Sequence, residues 1–579
     1  MDVLLASHRR RDGAGKARDL AYVQSLATQL LSELSETLNR AHNVTHDKRY
    51  WQIVFGHWLQ RYTAVAFERY RAVEACLAGG TVGSTTVLDC SSFSLAAQTS
   101  LAFIWSCNTD AWNHVFYARV LEFLQFEGIE RVRCRVDAEK TSTGAVRVEG
   151  TTTRLARRLT STMASRLLPY FARRDDAVIV NSYLPRRSEV TLQLSLRQCP
   201  QLWRTPSAEI ATPEPARRRA LSLNQGGHVG LEAFVRLELM NVVPTCYLEG
   251  YQAVVRQALG LPWPTRPRFI FTSNSFDTDE VFKVWAAEKT EAGVPYITGQ
   301  HGGNYGAVLG NENCPERVTC DTFISWGWTE AGRPISPAFI FKTINRKPRR
   351  YARNGGLLLI ETSAPHRVTP WDSCVEFAEY LEHQVDFVAR LPSSIAGELT
   401  IRLHSDHLSH PWREQKRWRD ALGNVRIDVG GTPLWSLIEA SRLVVHSYDS
   451  TGMLETLALD IPTLCFWDGG LDHLGSGAKV SYELLRASGI LCNSAQDAAE
   501  SVARHWDSLS EWWYSDMVQN ARREFCARYA RTVRWPVNAL KELLLAQTRV
   551  GATRTECEAT AAEGNARLDP PSRLPGNFR

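Results

Sequence analysis

From about residue 355 to 505, short apolar runs alternate with stretches whose apolar residues recur every three or four positions. GLLLIE (356–361) reads as a strand, and SCVEFAEYLEHQVDFVARL (373–391) has helical spacing. Strand LTIRLH (399–404), helix PWREQKRWRDAL (411–422) and strand VRIDV (425–429) follow. Helix PLWSLIEAS then leads to strand LVVHSY (443–448), helix TGMLETLAL to strand PTLCFW (462–467), and a last helix to GILCN (489–493). Strand–helix alternation with short connections predicts βαβ units and a parallel, doubly wound sheet.

The N-terminal half is less regular. Residues 20–78 read as helices, and strands are predicted at TVLDCS (86–91), AVIVNSY (177–183), RFIFTSNS (268–275), PYITGQH (295–301) and TFISWGW (322–328). These patterns predict a flexible start over 1–20, an α/β domain with helical additions over 21–332, a linker over 333–354, a second α/β domain over 355–547 and a disordered tail over 548–579. The linker holds Pro334, Pro337 and Pro348 and the basic run Arg346, Lys347, Arg349, Arg350 and Arg353; the tail is rich in Ala, Glu, Arg and Pro with few apolar residues.

Length and composition agree with this division. A chain of 579 residues exceeds what one core serves. A net charge of +5 is too mild to indicate a nucleic-acid binder. Its 13 cysteines, an odd number without a CxxC pair, predict reduced thiols and a cytoplasmic protein. The N-terminal residues lack the long apolar stretch of a signal peptide. The uncharged segment between Asp89 and Asp110 is too rich in Ser, Thr, Gln and Asn to insert in a bilayer, so membrane contact, if any, is peripheral.

Ligands of open α/β sheets bind at the loops leaving the strands' carboxyl ends. HSYDSTGMLETLALDIP (446–462) places Ser450, Thr451 and Gly452 where a helix N-terminus offers N–H groups and hydroxyls to a phosphate, with Glu455 one turn further, in reach of a ribose. The same residues also suit an ordinary N-cap. GQHGGNYG (299–306) lets backbone approach a ligand through Gly302, Gly303 and Asn304, and sets His301 as a candidate acid or base.

SNSFDTDEVFK supplies Asp277 and Asp279 as candidate nucleophile or base, against the alternative of a helix start. NTDAWNHVFY supplies Asp110 as an acceptor-binding or second carboxylate, against the alternative of capping. RLHSDHLSH points to a donor loop with Arg402 or His404 on phosphate rather than to a metal site, since the segment runs from a strand into Pro411. ETSAPHRVTPW offers Ser363, His366 and Arg367 to a donor phosphate or a sugar carboxylate, or is a plain connector. No metal site is expected.

Taken together, LNRAHNVTHDKRYWQIVFGHWL (38–59), NTDAWNHVFY, GQHGGNYG followed by Glu316, Asp321 and SWGW (325–328), and YDSTGMLETLALDIPTLCFWD (448–468) resemble a family of transferases from bacterial O-antigen gene clusters, over about residues 35–505. The layout is similar, more distantly, to the Kdo and nonulosonic-acid glycosyltransferases of capsule and O-antigen synthesis. That resemblance implies a GT-B-like α/β fold: two Rossmann-type domains facing a cleft, with extra N-terminal helices. It implies a metal-independent, cytoplasmic glycosyltransferase of surface-polysaccharide assembly, possessing no cofactor beyond a CMP-linked acidic sugar donor, and a lipid-linked or oligosaccharide acceptor. Ser450 and Thr451 would then hold the CMP phosphate and Glu455 the ribose or base. His301 would assist leaving-group departure or bind the sugar carboxylate, and Asp277 or Asp279 would be the nucleophile or base. A polyol-phosphate transferase similar to the CDP-glycerol class, and a non-catalytic polysaccharide-binding scaffold, are the alternatives.

Overall fold

The computed structural model describes residues 13–80, 82–135, 171–221, 223, 226–346, 352–362, 377–405, 407–408, 413–467 and 469–547. Two long helices open the chain, α1 (Gly13–His42) and α2 (Lys48–Ala78). Asp47 caps α2 by accepting from the Tyr50 N–H, which satisfies one of the orphan donors of a first turn. From Tyr50 to Tyr70 most of α2 is buried, including Trp51, Phe55, Trp58 and Tyr62. A helix with so many large aromatic groups inside is a core element.

A short parallel pair, β1 (Thr85–Asp89) and β2 (Ile129–Arg135), stands apart from the main sheets. The segment 86–91, predicted as a strand of the first domain, therefore forms its own small sheet. The first main sheet runs β3 (Val178–Val180), β4 (Ile270–Thr272), β5 (Tyr296–Gly299), β6 (Thr322–Ser325) and β7 (Ile335–Pro337), in that spatial order and all parallel. Strands β3 to β6 are buried throughout, so they read as continuous apolar runs rather than alternating ones.

The second sheet contains β8 (Gly356–Ile360), β9 (Leu399–Arg402), β10 (Arg426–Asp428), β11 (Ser441–His446), β12 (Thr463–Phe466) and β13 (Leu491–Cys492). Its spatial order is β10-β9-β8-β11-β12-β13, all parallel. Counted from its first strand this is 3-2-1-4-5-6, the doubly wound Rossmann order. The order reverses between β8 and β11, and a crevice opens there because successive crossovers leave on opposite sides. Two Rossmann-like parallel sheets with a cleft between them, preceded by helices, make the GT-B arrangement.

The chain does not stay with the second sheet to its end. The Arg531 N–H donates to the Trp326 carbonyl, and the Ile340 N–H donates to the Arg531 carbonyl. Beyond them, Leu540 and Leu544 are fully buried against Ile179, Phe271, Ile297 and Ile324 of the first sheet. The last helical stretch thus belongs to the first core. Among the described residues no helix is long and apolar enough to cross a membrane.

Candidate functional site

The strand ends of both sheets converge on one cavity of about 820 Å³. The second sheet reaches it through Glu361 after β8, His404 after β9, and Asp449, Ser450, Thr451 and Gly452 after β11. These loops leave the topological switch point and its neighbour. The first sheet reaches it through Asp277 after β4 and His301, Gly302, Gly303 and Asn304 after β5. Helix α2 adds His57 and Arg61, one turn apart and so on the same face.

The glycine turn and the helix Thr451–Ala458 touch directly. The Gly303 N–H donates to Thr451 Oγ1 at 2.8 Å. A Cβ on Gly302 would stand 3.2 Å from that oxygen, and one on Gly303 would stand 3.3 Å from the Thr451 nitrogen. Glycine at both places is what lets the loop lie on the helix end. Ser450 is the N-cap, accepting from the Met453 N–H at 3.0 Å. Both candidate hydroxyls are thus engaged within the protein, and the first-turn N–H groups of Thr451 and Gly452 have no capping partner among the described residues.

Two further contacts join the domains beside this point. The Leu309 N–H donates to the His473 carbonyl at 2.9 Å, and Val308 forms a bridge with Leu474. The His473 ring in turn meets Asp449 at 3.1 Å, where Tyr482 also donates at 2.9 Å. Asp449 therefore braces the loop that precedes the helix.

On the opposite wall the charged groups are paired. Arg61 Nη1 donates to Asp277 at 2.6 Å. Burial alone would raise the Asp277 pKa, but Arg61, with His57 and Lys283, holds it well below the usual carboxylate range. His301 Nδ1 lies 3.2 Å from the Tyr305 hydroxyl, which donates to Glu316 Oε1 at 2.5 Å. His57 Nε2 meets the other Glu316 oxygen at 2.8 Å. Burial lowers the His301 pKa, against the opposing pull of Glu316 and Asp277, so the ring is neutral at pH 7. Burial would raise Glu316, but His57 and the Tyr305 hydroxyl overcome it and keep it a carboxylate.

The second sheet's wall behaves oppositely. Glu361 has its Oε1 bonded by the Trp418 indole at 2.7 Å, and its other oxygen has no partner among the described residues. Burial, with Glu414 adding repulsion, pushes its pKa up to about 8. Burial likewise pushes Glu414 up to about 7. Glu455 is raised by burial, partly offset by Lys342, whose Nζ lies 3.9 Å away from the first domain's side.

The cavity brings together His301, Asp277, Gly302, Gly303, Asn304, Ser450, Thr451, Gly452, Glu455 and His404. Two expected carboxylates are corrected. Asp110 is exposed at the start of the helix Asp110–Phe123 and does not line the cavity. It misses because its helix packs along α2, with Thr109 as the cap. Asp279 caps the helix Glu280–Glu291, accepting from Phe282 N–H, and its other oxygen is held by Thr205 at 2.6 Å. It too lies off the cavity. Glu280 and Lys283 form a buried pair with Ser100 and Tyr247. Ser363, His366 and Arg367 lie outside the described residues. In the RLHSDHLSH segment, His407 Nδ1 bonds the His404 carbonyl at 2.9 Å, while Asp406 and His410 lie outside the described residues. Among the described residues no group of three or more His, Cys, Asp or Glu can hold a metal ion.

His57, Arg61, Tyr305 and Glu361 escaped assignment from sequence. The signal for the first two was present: polar side chains one turn apart on a helix otherwise filled with aromatic groups.

Fold and cleft define a two-domain protein of the GT-B type. The chain belongs to the LIC12162 family transferase family, which it matches over residues 2–544. No curated protein matches it. Among solved structures it is similar to MurG of Acinetobacter baumannii, at 12% identity and a TM-score of 0.34, covering 64% of this chain and 99% of that one. It is similar to the glycosyltransferase SnogD from Streptomyces nogalater, at 14% identity and 0.32, covering 65% and 99%. It is also similar to the wall teichoic acid polymerase TagF, at 10% identity and 0.32, covering 69% and 99%. Likenesses this loose carry nothing about the chemistry of this chain.

Proposed function

We propose that this transferase moves a sugar from a nucleotide-sugar donor to a glycan or lipid-linked acceptor in surface-polysaccharide assembly, and that the donor is a CMP-linked acidic sugar of the Kdo or nonulosonic type. The observation supporting the reading is the meeting of Gly302–Gly303 with the helix N-terminus at Ser450–Thr451–Gly452, inside a cavity lined from both sheets. In this reading the Thr451 and Gly452 N–H groups take the donor phosphate, where the helix dipole favours negative charge. The Gly303 contact to Thr451 is the one a phosphate would share or displace. Glu455 faces the ribose or base, His404 lines the donor side, and Asn304 borders the sugar. Ser363, His366 and Arg367 remain candidates for a sugar carboxylate. His301 and Asp277 flank the reacting centre, and Lys342 supplies a further cation for the departing phosphate. Preorganised N–H groups stabilise charge developing on that phosphate without a metal.

Nucleotide sugars are made in the cytoplasm, so the reaction is placed there, at the inner-membrane surface when the acceptor is lipid-linked. The basic run Arg346, Lys347, Arg349, Arg350 and Arg353 would attract such an anionic surface.

A thermal-shift screen tests the donor class, because a ligand that binds only the native state raises its melting temperature. CMP is expected to raise it, and UDP and GDP are not. A shift with UDP or GDP alone would overturn the CMP assignment. No shift with any nucleotide would favour the scaffold alternative. Product mass separates sugar transfer from polyol-phosphate transfer.

A further inference from the structure

The proton positions around His301 follow from the bonds it makes. Glu316 is 4% exposed and is a carboxylate, so it only accepts hydrogen bonds. A tyrosine hydroxyl has one hydrogen, and that of Tyr305 goes to Glu316 Oε1 at 2.5 Å. Towards His301 Nδ1, 3.2 Å away, the Tyr305 oxygen is left with lone pairs alone. The hydrogen of that bond must therefore sit on Nδ1. In a neutral imidazole this leaves Nε2 bare, and Nε2 has no hydrogen bond to any described residue. The second Glu316 oxygen is tied down by His57 from α2, at 2.8 Å. The Tyr305 ring packs on Phe323, with centroids 5.3 Å apart, which fixes the hydroxyl.

We propose that Tyr305, Glu316 and His57 form a buried relay that holds His301 as its Nδ1–H tautomer, making Nε2 the general base towards the acceptor hydroxyl in the cleft. Tyr305, Glu316 and His57 are positioning residues. The proposal rests on the transferase reading above and adds the identity of the base. Asp277, the rival base, has its carboxylate bound by Arg61 at 2.6 Å, which withdraws its lone pairs and its basicity.

The step balances. The acceptor oxygen forms a bond to the anomeric carbon as its proton passes to Nε2. The bond from that carbon to the donor phosphate oxygen breaks, and the phosphate keeps the electron pair. The imidazolium then donates through Nδ1 to Tyr305, and the fixed negative charge of Glu316 stabilises it through the hydroxyl, much as a carboxylate orients and stabilises a histidine in a hydrolase triad. A single displacement of this kind inverts the anomeric centre. The other titratable groups facing the ring are Asp277, Lys342 and His57.

The test needs no donor. The full chain is labelled with ¹⁵N-histidine, and imidazole tautomers are read from ¹⁵N shifts and long-range ¹H–¹⁵N correlations at pH 7.5. The His301 signals are assigned by their loss in His301→Asn. The expected result is a protonated Nδ1 and a bare Nε2 in the wild type, moving towards the Nε2–H form that free histidine prefers in Tyr305→Phe. A wild-type Nε2–H would overturn the proposal, as would a Tyr305→Phe spectrum unchanged at His301. If Tyr305→Phe does not fold, the wild-type tautomer decides alone. With a CMP-linked acidic sugar as probe, His301→Asn is expected to slow CMP release about 10²- to 10⁴-fold. Tyr305→Phe is expected to lower kcat with KM for the probe unchanged, and a rise in KM alone would count against the relay. Failure of CMP to bind would sink the donor assignment while the tautomer result stood.

Discussion

The two walls of the cleft handle charge in opposite ways. On the first-domain wall the ionisable side chains around His301 are paired: Arg61 with Asp277, His57 and Tyr305 with Glu316, and Tyr305 with His301. On the second-domain wall the polar resources are backbone N–H groups and capping hydroxyls, Asp449 is tied to His473 and Tyr482, and burial raises the pKa values of Glu361 and Glu455. The difference teaches a division of labour. Protons are managed where ion pairs set protonation states, and a phosphate is accommodated where N–H groups gather and the neighbouring carboxyls are either bonded within the protein or raised in pKa by burial.

The most damaging way to break this contrast is Glu316→Ala. It strands His57 and Tyr305 without their shared acceptor in a buried place. A loss of about 1–3 kcal/mol is expected, the usual cost of leaving buried hydrogen-bonding groups without their partner, read from denaturant unfolding. Glu316→Gln, which keeps the shape and one acceptor, should lose less.

Acid sensitivity sharpens the first wall's side of the comparison. Asp277 and Glu316 have folded pKa values below their unfolded ones, so their stabilisation is present above about pH 4.5 and is lost as pH falls through their folded values. Removing the Arg61 partner in Arg61→Ala should flatten the Asp277 share of that loss, seen as a smaller drop in melting temperature from pH 5 to pH 3 than the wild type shows.

The second wall should fail at the other end of the scale. The folded pKa of Glu361 is raised to about 8, so its favourable contribution is complete below about pH 4.5 and disappears as pH rises through about 8. Glu361→Gln, permanently neutral, should make melting temperature less dependent on pH between 6 and 9. An unchanged profile would mean the carboxyl is not buried as an acid.

Ser450→Ala is the smallest of these effects. It removes the cap of the helix Thr451–Ala458, at a cost of about 1 kcal/mol in thermal unfolding. In nucleotide titrations it should matter less than Gly303→Ala, whose methyl would press on the Thr451 nitrogen at 3.3 Å.

Much of the second domain was legible beforehand. Its buried parallel strands are unbroken apolar runs, and each crossover helix carries a clear period, so β8, β9, β10, β12 and β13 fall within their predicted ranges, while β11 begins and ends two residues earlier than predicted. The glycine turn and the hydroxyl-rich helix start were also visible, because strand ends in such folds are where ligands go. Asp110 and Asp279 were not distinguishable from Asp277, since an acidic residue at a helix start suits a cap and a catalytic group equally. Arg61 selected between them by reaching Asp277 alone, across 216 positions of sequence. The small sheet of β1 and β2, and the return of Leu540 and Leu544 to the first core, depend on partners far along the chain and left no local mark.

What the sequence determined by itself was local: which segments are strands or helices, where glycine allows close approach, and which loops carry polar groups. Periodicity and backbone freedom are properties of neighbouring residues. Only the tertiary structure decided that Gly303 rests on Thr451, that Asp277 rather than Asp279 faces the cleft, and that His301, Tyr305, Glu316 and His57 make one chain of hydrogen bonds. Protonation and reactivity depend on distances of about 3 Å between groups from different elements, and such distances exist only once the whole chain has packed.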